Sequence, residues 1–134
     1  MPETMIRAAQ LERRTAETEI SLSLTLDGSG AGERRTGIGF FDHMLDLLAR
    51  HGRLDLEIAA AGDLQTGGHH TVEDVGICIG QALDQALADR AGITRYGNVT
   101  VPMDEARAAC AIDISGRGLS VLDSSRLPAG AIWS

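Results

Sequence analysis

The sequence predicts an α+β fold in which one sheet is backed by two helices and a second, similar unit then begins. Three patterns predict it. Ile20, Leu22, Leu24 and Leu26 alternate with Glu19, Ser21, Ser23 and Thr25, the period of a half-buried strand. Val72, Val75, Ile79, Leu83 and Leu87 recur at the spacing of one helix face. Past residue 95, two strand-like runs followed by a polar glycine-containing turn reappear, as they do at the start of the chain, which is the signature of a repeated unit.

The elements follow in order. "MIRAAQLERRT" and "TEISLSLTLDG" read as two strands, with one face of the second in the core and the other polar. Residues 27–37, "DGSGAGERRTG", form a glycine-rich connection that lacks the Lys-Ser/Thr of a phosphate loop and is therefore expected as a mobile loop. In "FFDHMLDLLARHG", Phe41, Leu45 and Leu48 hold helical spacing and Gly52 supplies a stop, predicting a short helix over about residues 40–51. Leu54, Leu56 and Ile58 alternate as a third strand, and a long amphipathic helix runs from His69 to Ala88, closing at "DRAG". Strands are then expected near 96–103, 106–114 and 118–123. This assigns residues 1–94 to a first ββαβα unit and residues 95–134 to the opening strands of an incomplete second one.

Composition narrows the function. Of 134 residues, 43% are apolar, enough for a real interior, and 19 acidic against 12 basic side chains give a net charge of −7. No basic tract with interleaved aromatics marks a nucleic-acid surface. The first residues carry charges without an apolar core behind them, and no run of 18 apolar residues exists, so a cytoplasmic protein without signal or membrane span is expected. Cys78 and Cys110 each sit among apolar neighbours and are not closely paired, which predicts buried free thiols.

The chemistry-bearing residues cluster. All four histidines, His43, His51, His69 and His70, fall within residues 43–70. If the second helix begins near 69, His69 and Glu73 stand one turn apart on one face. His70, rotated by about 100 degrees, still neighbours Glu73 at three residues. Imidazole nitrogen with carboxylate oxygen suits a transition-metal ion better than calcium or magnesium. On spacing alone, the same residues equally suit a solvated helix N-terminus, where Glu73 and Asp74 meet the helix dipole. His51, just before Gly52, fits a helix C-terminus that donates to open carbonyls. Glu12, Glu17 and Glu19 are candidates for a general base or for an exposed strand end. Arg95 and Arg117 stand in or beside turns, where a guanidinium can grip a phosphate.

Taken together, "ERRTAETEISLSLTLDGSG", "TGIGFFDHMLDLLARHG", "GGHHTVEDVGICIGQALDQAL", "GITRYG", "VPMDEA" and "AIDISGR" resemble the imidazoleglycerol-phosphate dehydratase family over about residues 7–123. The resemblance implies a duplicated α+β fold of the ribosomal protein S5 domain 2-like class, here with its second unit truncated. It implies dehydration of imidazole glycerol phosphate to imidazole acetol phosphate in histidine biosynthesis, assisted by metal-promoted imidazolate formation. It implies a manganese-bound homo-oligomer with active sites at subunit interfaces. Carried over by position, His43, His69, His70 and Glu73 match metal ligands and Glu17 the acid/base glutamate. Arg95 and Arg117 match phosphate-holding residues, and Asp104 lies near the substrate. The sequence departs from the family pattern twice. Gly67 and Gly68 stand where an aspartate usually precedes the histidine pair, which is expected to loosen a contact behind a ligand histidine. The second half's histidine pair with glutamate and its lysine-serine clamp have no counterpart. A non-catalytic half-domain, serving in metal binding or assembly, is accordingly the alternative reading.

Overall fold

The computed structural model describes residues 6–126. The first five residues, where the first expected strand was to begin, and the tail of the second expected unit lie outside the described residues. The chain divides into two compact units at Ala88/Asp89.

In the first unit, β1 (Ala8–Arg14), β2 (Thr18–Thr25), β3 (Arg34–Arg35) and β4 (Asp55–Gly62) form one sheet in the order β1-β2-β4-β3. The first three neighbours in space are antiparallel, and β3 runs parallel to β4. Two helices, α1 (Gly39–Gly52) and α2 (His69–Leu87), complete the unit. The predicted alternation fixes the register: Leu22 lies opposite Ile58 and Leu24 opposite Leu56, and all four are at most 2% exposed. Because side chains alternate along a strand, this pairing puts every large apolar group of β2 and β4 on the same side.

The helices bury faces that overlap the expected ones but are centred on smaller residues. On α2, the deepest residues are Val75, Cys78, Ala82 and Ala86, with Thr71 and Asp74 beside them, while Ile79, Leu83 and Leu87 are only partly buried. Small side chains let the helix backbone lie close to the sheet, so the larger residues flank the contact rather than fill it. On α1, Leu45 and Ala49 are buried and Phe41 packs at the edge of the core, whereas Leu48 is exposed. The stop of α1 is also displaced by one residue. Arg53, not Gly52, adopts the left-handed conformation at φ 54, and the amide of Leu54 returns to the Ala49 carbonyl at 2.9 Å.

The connection expected as a mobile loop is instead tied to the sheet. The Asp55 carboxylate accepts from the amides of Ser29 at 2.8 Å and Ala31 at 2.9 Å, and β3 lies within the same stretch. Its pKa is held below the ordinary carboxylate value by those two amides. A two-residue strand leaves no readable alternation in sequence, which is why β3 was not foreseen.

The second unit is an antiparallel hairpin of β5 (Tyr96–Met103) and β6 (Ala106–Asp113). Asp104 starts its two-residue turn at φ 48. The third strand expected over 118–123 is absent: those residues form no ladder and are exposed. Leu119, Val121 and Leu122 thus supply strand-like composition without a partner edge, and composition alone does not hold a strand. Cys78 is buried as expected, but Cys110 is exposed, because the face of β6 that carries it is not covered. Among the described residues, no helix is long and apolar enough to cross a membrane.

Candidate functional site

The site is built around the N-terminal turn of α2. This helix starts at His69, so His69 and Glu73 fall one turn apart as spacing predicted, with His69 Nε2 3.5 Å from Glu73 Oε2. Both side chains are largely exposed. The His69 and His70 rings meet edge to face with centroids 5.7 Å apart.

His70 turns the other way, toward the end of β4. Its Nδ1 lies 2.9 Å from Asp63 Oδ2. A carboxylate accepts only, so the ring donates from Nδ1, and in the neutral imidazole Nε2 is left as the lone-pair nitrogen. The bond favours both charged partners: Asp63 is held below its ordinary pKa chiefly by His70, and His70 is raised chiefly by Asp63. Asp63 was not singled out in the sequence, where it is one carboxylate in "AGDLQTGG". Only the path of the chain between β4 and α2 brings it beneath the ring.

That path depends on glycine. A single 3-10 turn, Leu64–Thr66, follows Asp63, and Gly67 then takes φ 108 and ψ 174, a conformation that side chains disfavour. Gly68 packs against the Ile38 side chain, whose Cδ1 would lie 2.9 Å from an added Cβ. The two glycines therefore have a structural reason to stand where the family pattern places an aspartate. His70 has its own carboxylate partner in Asp63.

Glu17 occupies the tight turn joining β1 to β2. The Thr15 amide donates to the Thr18 carbonyl at 2.9 Å, and the Thr15 hydroxyl accepts from the amides of Glu17 and Thr18. This turn is anchored to α2 by Asp74. Thr18 Oγ1 donates to Asp74 Oδ2 at 2.5 Å, and the Arg13 guanidinium reaches Oδ1 at 2.9 Å. The Thr18 hydroxyl, with Arg13 adding to it, keeps the buried Asp74 carboxyl below its ordinary pKa. A second tie joins the turn to the end of β4, where the Asp63 amide donates to the Glu17 carbonyl at 3.1 Å. Glu17 is exposed, and with Thr15, Thr18, Gly62 and Asp63 it lines a shallow concavity beside the α2 terminus.

His43 sits exposed on α1, and His51 is in the last turn of that helix, as its position before Gly52 suggested. Among the described residues, no group of three or more His, Cys, Asp and Glu is gathered to hold a metal ion. His43 therefore does not join His69 and Glu73 as a three-ligand cluster within one chain.

The remaining residues named from sequence belong to the second unit. Arg95 is engaged by Asp113, with Nε 2.6 Å from Oδ1 and an NH2 contact at 3.1 Å to Oδ2, and it lies over the Tyr96 ring at 4.9 Å. Arg117 follows a turn in which its amide donates to Ser115 Oγ, and its charge helps to lower the Asp113 pKa, behind the larger effect of Arg95. Asp104 is exposed at the tip of the β5–β6 hairpin.

Comparison with known proteins agrees with this architecture. The family model for imidazoleglycerol-phosphate dehydratase matches residues 36–132. An imidazoleglycerol-phosphate dehydratase of Jannaschia sp. (strain CCS1) is 57% identical over 88% of this chain and 60% of its own length. One from Rhodopirellula baltica is 59% identical over 83% of this chain and 55% of its own. Among solved structures, the Staphylococcus aureus imidazoleglycerol-phosphate dehydratase superposes with a TM-score of 0.70 at 39% identity, covering 82% of this chain and 59% of that one. The Pyrococcus furiosus protein, solved in complex with (S)-C348, gives 0.64 at 36% identity, covering 80% and 56%. The chain thus spans little more than half the length of these relatives. Its ordered motifs, its fold and these matches together make it a member of the imidazoleglycerol-phosphate dehydratase family.

Proposed function

We propose that this chain contributes to the dehydration of imidazole glycerol phosphate to imidazole acetol phosphate, a hydro-lyase step of histidine biosynthesis in the cytoplasm. The observation that carries the reading is the joined arrangement at the α2 terminus. His69 and Glu73 share one outward face, His70 is backed by a carboxylate, and the turn bearing Glu17 is tied to the same place.

The donor set fits a divalent transition ion such as manganese. Two imidazoles and a carboxylate are the right chemistry, and the Asp63 contact leaves His70 Nε2 as the nitrogen available to a ligand. His69 and Glu73 would hold an ion on their shared face and His70 would offer a ligand in the other direction, with His43 and residues of another protomer completing the shells in a homo-oligomer. The exposure of His69 and Glu73 supports a site finished by a neighbouring subunit. When bound, the ion would supply Lewis acidity toward the substrate's imidazole ring, which makes loss of a carbon-bound proton feasible.

The chain's own residues do the rest. Glu17 moves protons at the glycerol carbon and at the departing hydroxyl, a task suited to a carboxylate fixed on a tight turn. Arg95 and Arg117 hold the phosphate and so orient the glycerol chain, with Asp104 near the substrate. Arg95 would meet the phosphate with whatever donors its bond to Asp113 leaves. The test is direct: with manganese added, the chain should convert imidazole glycerol phosphate to the acetol product, and His69→Ala with His70→Ala should abolish both turnover and the rise in Tm on adding Mn2+. Turnover without metal dependence would overturn the ligand assignment.

A second reading has an observation of its own. His69 and Glu73 face each other in the open at the α2 terminus, as at a solvated helix N-terminus, which favours a half-domain that at most binds metal or assembles without catalysing the reaction. It predicts Mn2+ uptake without product formation.

A further inference from the structure

We infer that Asp63 is a positioning residue, setting the tautomer and orientation of His70 and coupling that ring to the turn that bears Glu17. The inference rests on the proposed role of His70 as a metal ligand, but its evidence is the hydrogen bonding around one carboxylate.

Asp63 is built into a rigid corner. Its side chain is only 18% exposed. Its carbonyl accepts from the Thr66 amide and the Thr66 hydroxyl, both at 2.9 Å, which closes the 3-10 turn over it. Its Oδ2 accepts from His70 Nδ1 at 2.9 Å and, with the carbonyl, shares the single Thr66 hydroxyl proton, Thr66 Oγ1 lying 2.9 Å from it. Its amide donates to the Glu17 carbonyl at 3.1 Å. The other carboxylate oxygen, Oδ1, is buried and has no hydrogen-bond partner in the described structure. A buried carboxylate held with one oxygen unsatisfied is costly. The arrangement is accounted for if the orientation that serves His70 is the one the fold enforces.

The consequence is chemical. A histidine that binds a metal must present one unprotonated nitrogen, and which nitrogen that is depends on the hydrogen bond made by the other. Asp63 makes Nδ1 the protonated nitrogen and points Nε2 away from the corner. Because the same residue's amide grips the Glu17 turn, a shift of this corner would move a ligand nitrogen and the acid/base carboxylate together. Asp63 acts through His70 and the Glu17 turn, the two groups that it holds.

The test uses the whole chain labelled with 15N in its histidines and kept metal-free at a pH where imidazole is neutral. The wild type should show His70 with Nδ1 protonated and Nε2 unprotonated. Asp63→Ala, checked for folding by its backbone amide spectrum, should shift His70 toward the Nε2–H form. Titration with Mn2+ alone, followed by electron paramagnetic resonance, should show affinity weakened by about 10–100-fold in the variant. A wild-type His70 already in the Nε2–H form overturns the inference, and this arm needs no variant to fold. Unchanged tautomer or unchanged Mn2+ affinity in folded Asp63→Ala overturns it as well. Absence of Mn2+ uptake by the wild type would instead remove the metal reading, while the tautomer of the wild type would still decide the role of Asp63.

Discussion

Asp74 illustrates how one side chain serves both stability and site. It is the residue after the candidate ligand Glu73, yet it points inward, where Thr18 and Arg13 meet it. Its folded pKa is depressed below 3.8, so the stability it contributes is present above that value and is lost as the pH falls through the folded one. Removing the carboxylate strands Arg13 and releases the Glu17 turn. Asp74→Ala should therefore cost about 3 kcal/mol at neutral pH, measured by urea unfolding, since breaking a mostly buried ion pair leaves an uncompensated partner. The gap between wild type and Asp74→Asn should begin to narrow below about pH 4, where the unfolded carboxyl takes up its proton, and close only as the pH falls through the lower folded value. A gap that persisted unchanged at lower pH would show that the charge is not what matters. Sequence spacing identified Glu73 through its relation to His69, but it gave no way to tell that the neighbouring Asp74 faces the interior.

Among the elements, the join between β4 and α2 carries the most consequence per residue. A strand that ends at Gly62, a single 3-10 turn and two glycines place Asp63 under His70 and start the helix with His69 outward. At φ 108, Gly67 stands where a Cβ is strained whatever space surrounds it, and nothing lies within 4 Å of the added atom. Gly67→Ala should accordingly cost about 2 kcal/mol from backbone conformation alone, read by chemical denaturation. It should also disturb the His70 environment in 15N spectra. A neutral substitution would mean the turn relaxes freely and does not fix the ring. The helix and strands flanking this join were legible from their periods. The join itself was not, because its information lies in dihedral angles rather than in apolar spacing.

For the whole molecule, the two units differ in how they satisfy their apolar surface. The first buries a continuous core between sheet and helices. The second is a lone hairpin whose pairings Val99–Cys110 and Val101–Ala108 put apolar side chains on one face, with Val99 and Val101 each 55% exposed. Two-stranded hairpins are marginal alone, and an exposed apolar strand face favours association. Val101→Lys, placed in the middle of that face, should lower the apparent mass in light scattering at fixed concentration. An unchanged particle size would indicate that this face takes no part in assembly. A repeated unit was expected here from the recurrence of two strands and a turn, and the hairpin appears where that recurrence placed it. The third strand does not, since a strand needs a partner edge as well as suitable residues.

By itself the sequence determined the alternating strand β2, the two helices, the first turn of α2 with His69 and Glu73 on one face, and the ordered motifs that carry family membership. Each of these depends on contacts between residues near in the chain, or on a period that one segment displays alone. Only the tertiary structure decided that Asp63 lies beneath His70, that Asp74 locks the Glu17 turn to α2, and that His43 stands apart from His69 and Glu73 within one chain. Asp74 and the Glu17 turn are joined across more than fifty residues by the packing of α2 on the sheet, whereas Asp63 and His70, only seven apart, are brought together by a turn whose path lies in dihedral angles and leaves no apolar period to read.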